Sequence, residues 1–278
     1  MAETTSPDIN PEIGISIDAG GLNTNYHDAG GGKPVVLIHG SGPGVTAWAN
    51  WRLTIPELAR HFRVLAPDIT GFGYIDKTAD DRYDLAIWQR HLVAFLDALD
   101  LKQVSVVGNS FGGALALAVN HPQRVDRLVL MGAAGLDFAL APGLDAVWGY
   151  RPSPENMRAL MHLFAWDRHL ISADLVQMRY PASVRNGVQQ SYARMFPAPR
   201  QNSVRSLAQS EEDVAQISKE TLTVHGRDDQ VIPLQSSLRL HQLIPRSQLH
   251  VFGQCGHWTQ IERADRFTRL VIDFLKEP

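Results

Sequence analysis

Short apolar runs rich in β-branched residues alternate along this chain with longer stretches of helical period. In the first half, Lys33–Gly40, Arg63–Asp68, Gln103–Gly108 and Arg127–Gly132 read as buried strands. Their near-continuous apolar character suits parallel strands covered on both faces. Trp88, Leu92, Phe95, Leu96 and Leu99 recur at the spacing of one helix face. A second helix is expected from Ser110 to about Asn120, stopped by Pro122. This alternation predicts an α/β fold with a mostly parallel sheet and right-handed crossovers.

The pattern breaks after Gly135. From Leu136 to about Glu211 no strand-like run occurs. Met, Trp, Phe, Arg and His recur there at helical spacings, punctuated by Pro142, Pro152, Pro154, Pro181, Pro197 and Pro199. Strands are expected again at Thr221–Gly226 and Gln248–Gly253, with a helix from about Leu234 to Leu243 between them. A last helix, about Ile261 to Lys276, would bury Phe267, Leu270, Val271, Phe274 and Leu275. The expected organisation is one core in two pieces, 1–135 and 212–278, split by a helical lid at 136–211.

The chain has 278 residues, 44% of them hydrophobic and 20% charged, which is enough for a full core without staples. A net charge of -3 lacks the basic surplus of a nucleic-acid binder. The single cysteine, Cys255, excludes an intrachain disulfide, and reads as a small buried filler. Apolar stretches such as Leu128–Leu136 fall far short of the roughly 20 residues that span a membrane. The N-terminus, Met1–Asp8, has neither a basic nor an apolar region of the kind a secretory signal needs. A soluble cytoplasmic protein with a frayed N-terminal tail and no membrane or nucleic-acid partner is expected.

Candidate chemistry begins at Gly108-Asn109-Ser110-Phe111-Gly112-Gly113, between a predicted strand and a predicted helix. A G-x-S-x-G at that junction forces a tight turn and holds the serine oxygen clear of the backbone, at a helix N-terminus whose free N–H groups suit a developing oxyanion. The same letters also suit a glycine-rich packing turn. A serine hydroxyl is a weak nucleophile and needs a base and an orienter. Asp228 and Asp229 follow one late strand, and His257 follows the last, in the order serine, acid, histidine. Spacing does not separate the two aspartates. The glycine-rich loop His39-Gly40-Ser41-Gly42-Pro43-Gly44 can supply one oxyanion donor, assigned to Ser41, and Phe111 the other. That loop lacks the Gly-Lys-Ser/Thr ending of a phosphate loop, and no Cys/His cluster suggests a metal. No cofactor is expected.

These residues bring the chain to a family. It resembles the α/β-hydrolases over most of its length and, more narrowly, the meta-cleavage product hydrolases, which hydrolyse carbon–carbon bonds in aromatic catabolism. The resemblance rests on His39–Gly44, Asn50, Gly108–Gly113, Gly226-Arg227-Asp228-Asp229 and Gly256-His257-Trp258. It implies a triad of Ser110, Asp229 and His257. It also implies a 2-hydroxy-6-oxohexa-2,4-dienoate substrate, cleaved to 2-hydroxypenta-2,4-dienoate and a carboxylic acid, through an acyl-enzyme or by direct attack of water. Arg185 resembles the family's carboxylate contact. Gly40, Gly42, Asn50, Asn109 and Trp258 match its pocket. The stretch Gly71–Thr78 departs from the family pattern at Ile75 and Thr78, where relatives often carry Ser and Pro.

The resemblance further implies a homo-oligomer, a dimer or larger. The motifs leave the C6 substituent open among hydrogen, alkyl and phenyl, with Val45–Trp51 and Gln254–Gln260 favouring hydrogen or a small alkyl group. Leu140, Trp148, Phe164 and Ile171 are candidates either to line that end or to pack the core. Two other functions fit the same motifs: a carboxylesterase with the same triad, and a catalytically silent hydrolase-fold binding protein.

Overall fold

The computed structural model describes residues 10–78, 80–119, 123–185 and 187–277. Among the described residues, eight strands form one sheet: β1 (Ile15–Asp18), β2 (Asn23–Gly30), β3 (Pro34–Ile38), β4 (Arg63–Pro67), β5 (Val104–Asn109), β6 (Val125–Met131), β7 (Glu220–Gly226) and β8 (Ser247–Phe252). Their spatial order is β1-β2-β4-β3-β5-β6-β7-β8. From β4 to β8 all neighbours are parallel, and β2 runs antiparallel to both β1 and β4. The six expected strands are β3 to β8.

Side-chain alternation along these strands divides the core. Val36, Ile38, Val106, Leu128 and Leu130 face one apolar layer. Val35, Leu37, Val107, Val129 and Met131 face the other, with Trp51, Phe267, Val271 and Phe274. β3, β5 and β6 are therefore apolar on both sides. The helix Leu85–Ala98 starts on Asp84, whose side chain accepts from Ile87 N–H, and buries Trp88, Leu92, Phe95 and Leu96. This cap satisfies one of the N–H groups that a helix start leaves open.

Between β6 and β7 the described chain is helical, with helices at Pro142–Trp148, Pro154–Phe164, Ala173–Val184, Val188–Met195, Gln201–Leu207 and Glu211–Ala215. Pro142 and Pro154 start helices, where a missing N–H costs nothing. Pro181, read as punctuation, instead lies inside Ala173–Val184. The helix Leu234–Leu243 matches its expected bounds. The expected last helix is broken into Thr259–Glu262 and Ala264–Lys276. Arg263 has left helical geometry at the break, and the Glu262 carboxylate is held by Gly256 N–H at 2.6 Å and Asp167 N–H at 2.9 Å. Leu270 is only half-buried, whereas its four apolar companions are buried.

The sequence pattern did not reveal β1 and β2. Two of the three buried residues of β2, Thr24 and Asn25, are polar, and β1 is mostly exposed. The tail Met1–Asp8 and the helix stop at Asn120–Pro122 lie outside the described residues. Among those described, no helix is long and apolar enough to cross a membrane.

Candidate active site

β5 lies between β3 and β6, and β7 lies between β6 and β8. Loops leaving the C-terminal ends of these parallel strands therefore share one edge of the sheet, where ligands of open α/β sheets bind. Ser41 follows β3, Ser110 follows β5, Asp229 follows β7 and His257 follows β8.

Ser110 joins β5 to the helix Phe111–Ala118 with φ 54° and ψ -116°, a strained conformation for a residue with a side chain. The glycines on either side make the turn possible. A Cβ on Gly108 would stand 2.3 Å from Gly112 O, and one on Gly112 would stand 2.4 Å from Ile38 O. The strand, the following helix and β3 pack too closely for any side chain there.

His257 Nδ1 lies 2.7 Å from Asp229 Oδ2. Val231 and Ile232 N–H groups donate to the other carboxylate oxygen at 2.7 and 3.0 Å. Burial pushes the Asp229 carboxyl pKa up, but His257, His225 and the Val231 N–H outweigh it and hold the group below its usual value. Asp229 is thus an ionised acceptor. Nδ1 of His257 carries the proton, and Nε2 is left as the basic nitrogen. Asp228 points elsewhere: it pairs with Arg227 at 3.5 Å and accepts from Cys255 N–H at 3.3 Å. The structure separates the two aspartates that spacing did not.

Among the described residues no hydrogen bond joins Ser110 Oγ to His257, but both line one cavity of about 290 Å³. Gly40, Ser41, Gly42, Asn50, Asn109 and Trp258 line the same cavity. The Asn50 carboxamide accepts from Gly40 N–H at 3.2 Å, while its Nδ2 is buried without a partner. A buried orphan donor is costly unless a ligand meets it. Among the described residues, the N–H groups of Ser41 and Phe111 have no protein acceptor. The Phe111 side chain packs away from the cavity against Trp88 and Phe72, leaving only its backbone to serve.

Arg185 is not in this cavity. Its guanidinium lies 3.8 Å from the Tyr74 ring centroid and donates to Gly73 O at 3.2 Å, in the wall of a neighbouring pocket. The arginines that do line the Ser110 cavity are Arg52 and Arg179, which the sequence reading missed. Arg179 sits inside the helix Ala173–Val184, whereas Arg185 caps its end. Of the four apolar candidates only Phe164 lines the cavity. Trp148 instead donates to Ser41 Oγ at 3.0 Å and stacks on Phe196. Leu140 and Ile171 belong to the core packing. Leu144, Val147, Met157, Leu160 and Met161 supply apolar lining that no motif marked. Cys255 is buried, with burial and Glu262 pushing its thiol up to about 12, so it stays protonated. Among the described residues no cluster of three or more His, Cys, Asp or Glu side chains is arranged to hold a metal ion.

A serine on a strained strand–helix turn, with a histidine–aspartate pair sharing its cleft, defines a serine hydrolase site of the α/β type. Residues 33–264 match the family model for the alpha/beta hydrolase fold, and the chain belongs to that family. Within it the chain belongs with the meta-cleavage product hydrolases. It is 58% identical over 274 residues to a 2-hydroxymuconate semialdehyde hydrolase of Pseudomonas sp. CF600, covering 98% of this chain and 97% of the relative. It is 60% identical over 269 residues to a 2-hydroxy-6-oxo-2,4-heptadienoate hydrolase of Pseudomonas putida, covering 96% and 98%. The crystal structure of the meta-cleavage product hydrolase CumD from Pseudomonas fluorescens IP01, a serine-to-alanine mutant complexed with acetates, superposes with a TM-score of 0.94. It is 56% identical and covers 96% of this chain and 98% of that one.

Proposed function

We propose that this enzyme hydrolyses the C5–C6 bond of 2-hydroxy-6-oxohexa-2,4-dienoates, with hydrogen or a small alkyl group at C6. The observation that carries this reading is the pairing, in one apolar cavity, of the Ser110–His257 machinery with Arg52 and Arg179 and with no acidic lining residue. A carboxylate substrate needs such guanidiniums, and a neutral ester does not. The relatives named for 2-hydroxymuconate semialdehyde and for a heptadienoate support the small C6 group.

The C1 carboxylate lies on Arg179, and Asn50 Nδ2 meets the dienol end. His257 moves the proton that converts the dienol to its keto form, protonated at C5. The C6 carbonyl then sits in the oxyanion hole of Ser41 and Phe111 N–H groups. Ser110 adds to C6 as His257 Nε2 takes its proton, and Asp229 stabilises the imidazolium. The C5–C6 bond breaks, its electron pair forming a dienolate that takes the proton from His257 Nε2 and leaves as 2-hydroxypenta-2,4-dienoate, which frees Nε2 to accept a proton from water. Water then attacks the Ser110 acyl group and releases the C6 acid. Water added directly at C6 gives the same products. The helices at 136–211 act as a lid over this cavity. A homo-oligomer in the cytoplasm, without nucleic-acid or membrane partners, belongs to the same proposal.

Loss of dienoate absorbance on adding purified protein tests the reading. No loss with hydrogen, methyl or phenyl at C6 overturns it. A fluorophosphonate probe that labels the wild type and not Ser110→Ala identifies the nucleophile.

A further inference from the structure

Arg179 is not a bare cation. Its Nη1 donates to Glu12 Oε1 at 2.8 Å and its Nη2 to Gly44 O at 2.6 Å. The side chains of the pair are only 14% and 13% exposed. Glu12 is held by its own backbone: its N–H donates to Asn10 Oδ1 at 3.0 Å, and its carbonyl accepts from Asn25 Nδ2 at 3.1 Å. Asn25 is tied in turn to the buried Asp68 carboxylate at 2.8 Å. Arg52 lines the same cavity and donates to Ala49 O at 3.0 Å. Among the described residues it has no ion-pair partner.

We infer that Glu12 is a positioning residue of the substrate site, which holds Arg179 in place and tempers the cavity's attraction for a carboxylate. Arg52 and Arg179 carry the two positive charges of the cavity lining, with Arg185 a third in the neighbouring pocket that they share, and Glu12 is the carboxylate that opposes them there. The inference rests on the substrate placement proposed above. The C1 carboxylate passes unchanged from substrate to dienoate product. Attraction for it is therefore uniform binding, which does not lower the barrier and delays product departure. Two unopposed guanidiniums in a cavity of low dielectric would hold that product strongly. Glu12 opposes them, and it gives the buried Arg179 a partner when the site is empty.

Sorbate (hexa-2,4-dienoate) tests this, because it has the carboxylate and diene but no ketone to react. Its neutral amide, sorbamide, is the control, and both are titrated by tryptophan fluorescence, with Trp258 in the cavity wall. In Glu12→Gln the sorbate Kd is expected to fall about tenfold, with sorbamide unchanged to within about twofold. KM for the dienoate falls as well, with kcat no higher than in wild type. Unchanged or weaker sorbate binding, or equal tightening of sorbamide, overturns the inference. Arg52→Gln on the native Glu12 background gives an independent reading. It should weaken sorbate by about tenfold and leave sorbamide alone. Equal sorbate affinity in that variant also overturns the charge balance. Neither titration needs turnover, so failure to hydrolyse dienoates would sink the proposed reaction and leave these outcomes to judge Glu12.

Discussion

Trp148 Nε1 donates to Ser41 Oγ at 3.0 Å, so a helix of the segment between β6 and β7 anchors the loop that carries Ser41, the proposed oxyanion donor. Tyr192, from a second helix of that segment, places its hydroxyl 2.9 Å from the Ser41 carbonyl. The Trp148 ring also lies flat on Phe196, 4.5 Å between centroids. Trp148→Phe keeps this stacking and removes the hydrogen bond. It should cost about 1 kcal/mol of stability. If the bond holds Ser41 N–H in register with the oxyanion, kcat falls several-fold on both dienoate and neutral ester. Unchanged kcat on both substrates would show that Ser41 needs no such anchor.

The two adjacent aspartates should behave very differently. Asp229→Asn leaves His257 Nδ1 beside an amide and favours the wrong tautomer, and kcat is expected to fall on the order of 10⁴-fold. Asp228 is partly exposed and pairs with Arg227. Asp228→Asn should change kcat by no more than about twofold. Steady-state kinetics of the two variants, with circular dichroism to verify folding, decide the matter; comparable losses would refute the assignment.

Arg179 and Arg185 make a second contrasting pair. Removing the guanidinium that lines the cavity should raise KM for the dienoate by about 10- to 100-fold in Arg179→Gln. The same change at Arg185, which lies over Tyr74, should leave KM close to wild type. Kinetics on a neutral ester supply the control, since neither change should alter its KM much. A larger effect at Arg185 would restore the placement that its motif suggested.

Why the sequence pointed to Arg185 and passed over Arg179 follows from helix geometry. Ser110, Asp229 and His257 follow strands that the sequence pattern already marks, so Ser110 and His257 could be placed by counting strands. Arg179 is carried by a helix of the segment between β6 and β7, whose orientation over the sheet depends on packing that no local motif encodes. A separation of six residues turns a helix by about 240° from its starting direction, so Arg179 and Arg185 do not share a face. β1 and β2 were hidden for a related reason. The buried Thr24 and Asn25 are satisfied by His91 and Asp68, contacts made only once the chain has folded.

Acid should destabilise the fold well before its carboxylates are protonated, because three buried histidines are held neutral. Burial lowers the pKa of His39 and His225, and burial with a smaller contribution from His39 lowers that of His91 to about 4. Each depressed value means that the unfolded chain, with histidine near 6.5, binds a proton the native state refuses. Stability is therefore fully present above pH 6.5 and declines as pH falls toward each folded value. For His91 the window runs from 6.5 to about 4, and the loss across it is about 3 kcal/mol. His91 Nε2 lies 2.9 Å from Thr24 Oγ1, a contact that a glutamine amide can replace. His91→Gln should thus unfold in urea with a shallower pH dependence between 6.5 and 4 than wild type, whatever its stability at pH 7. Parallel pH profiles for the two proteins would mean that His91 takes up its proton in the native state.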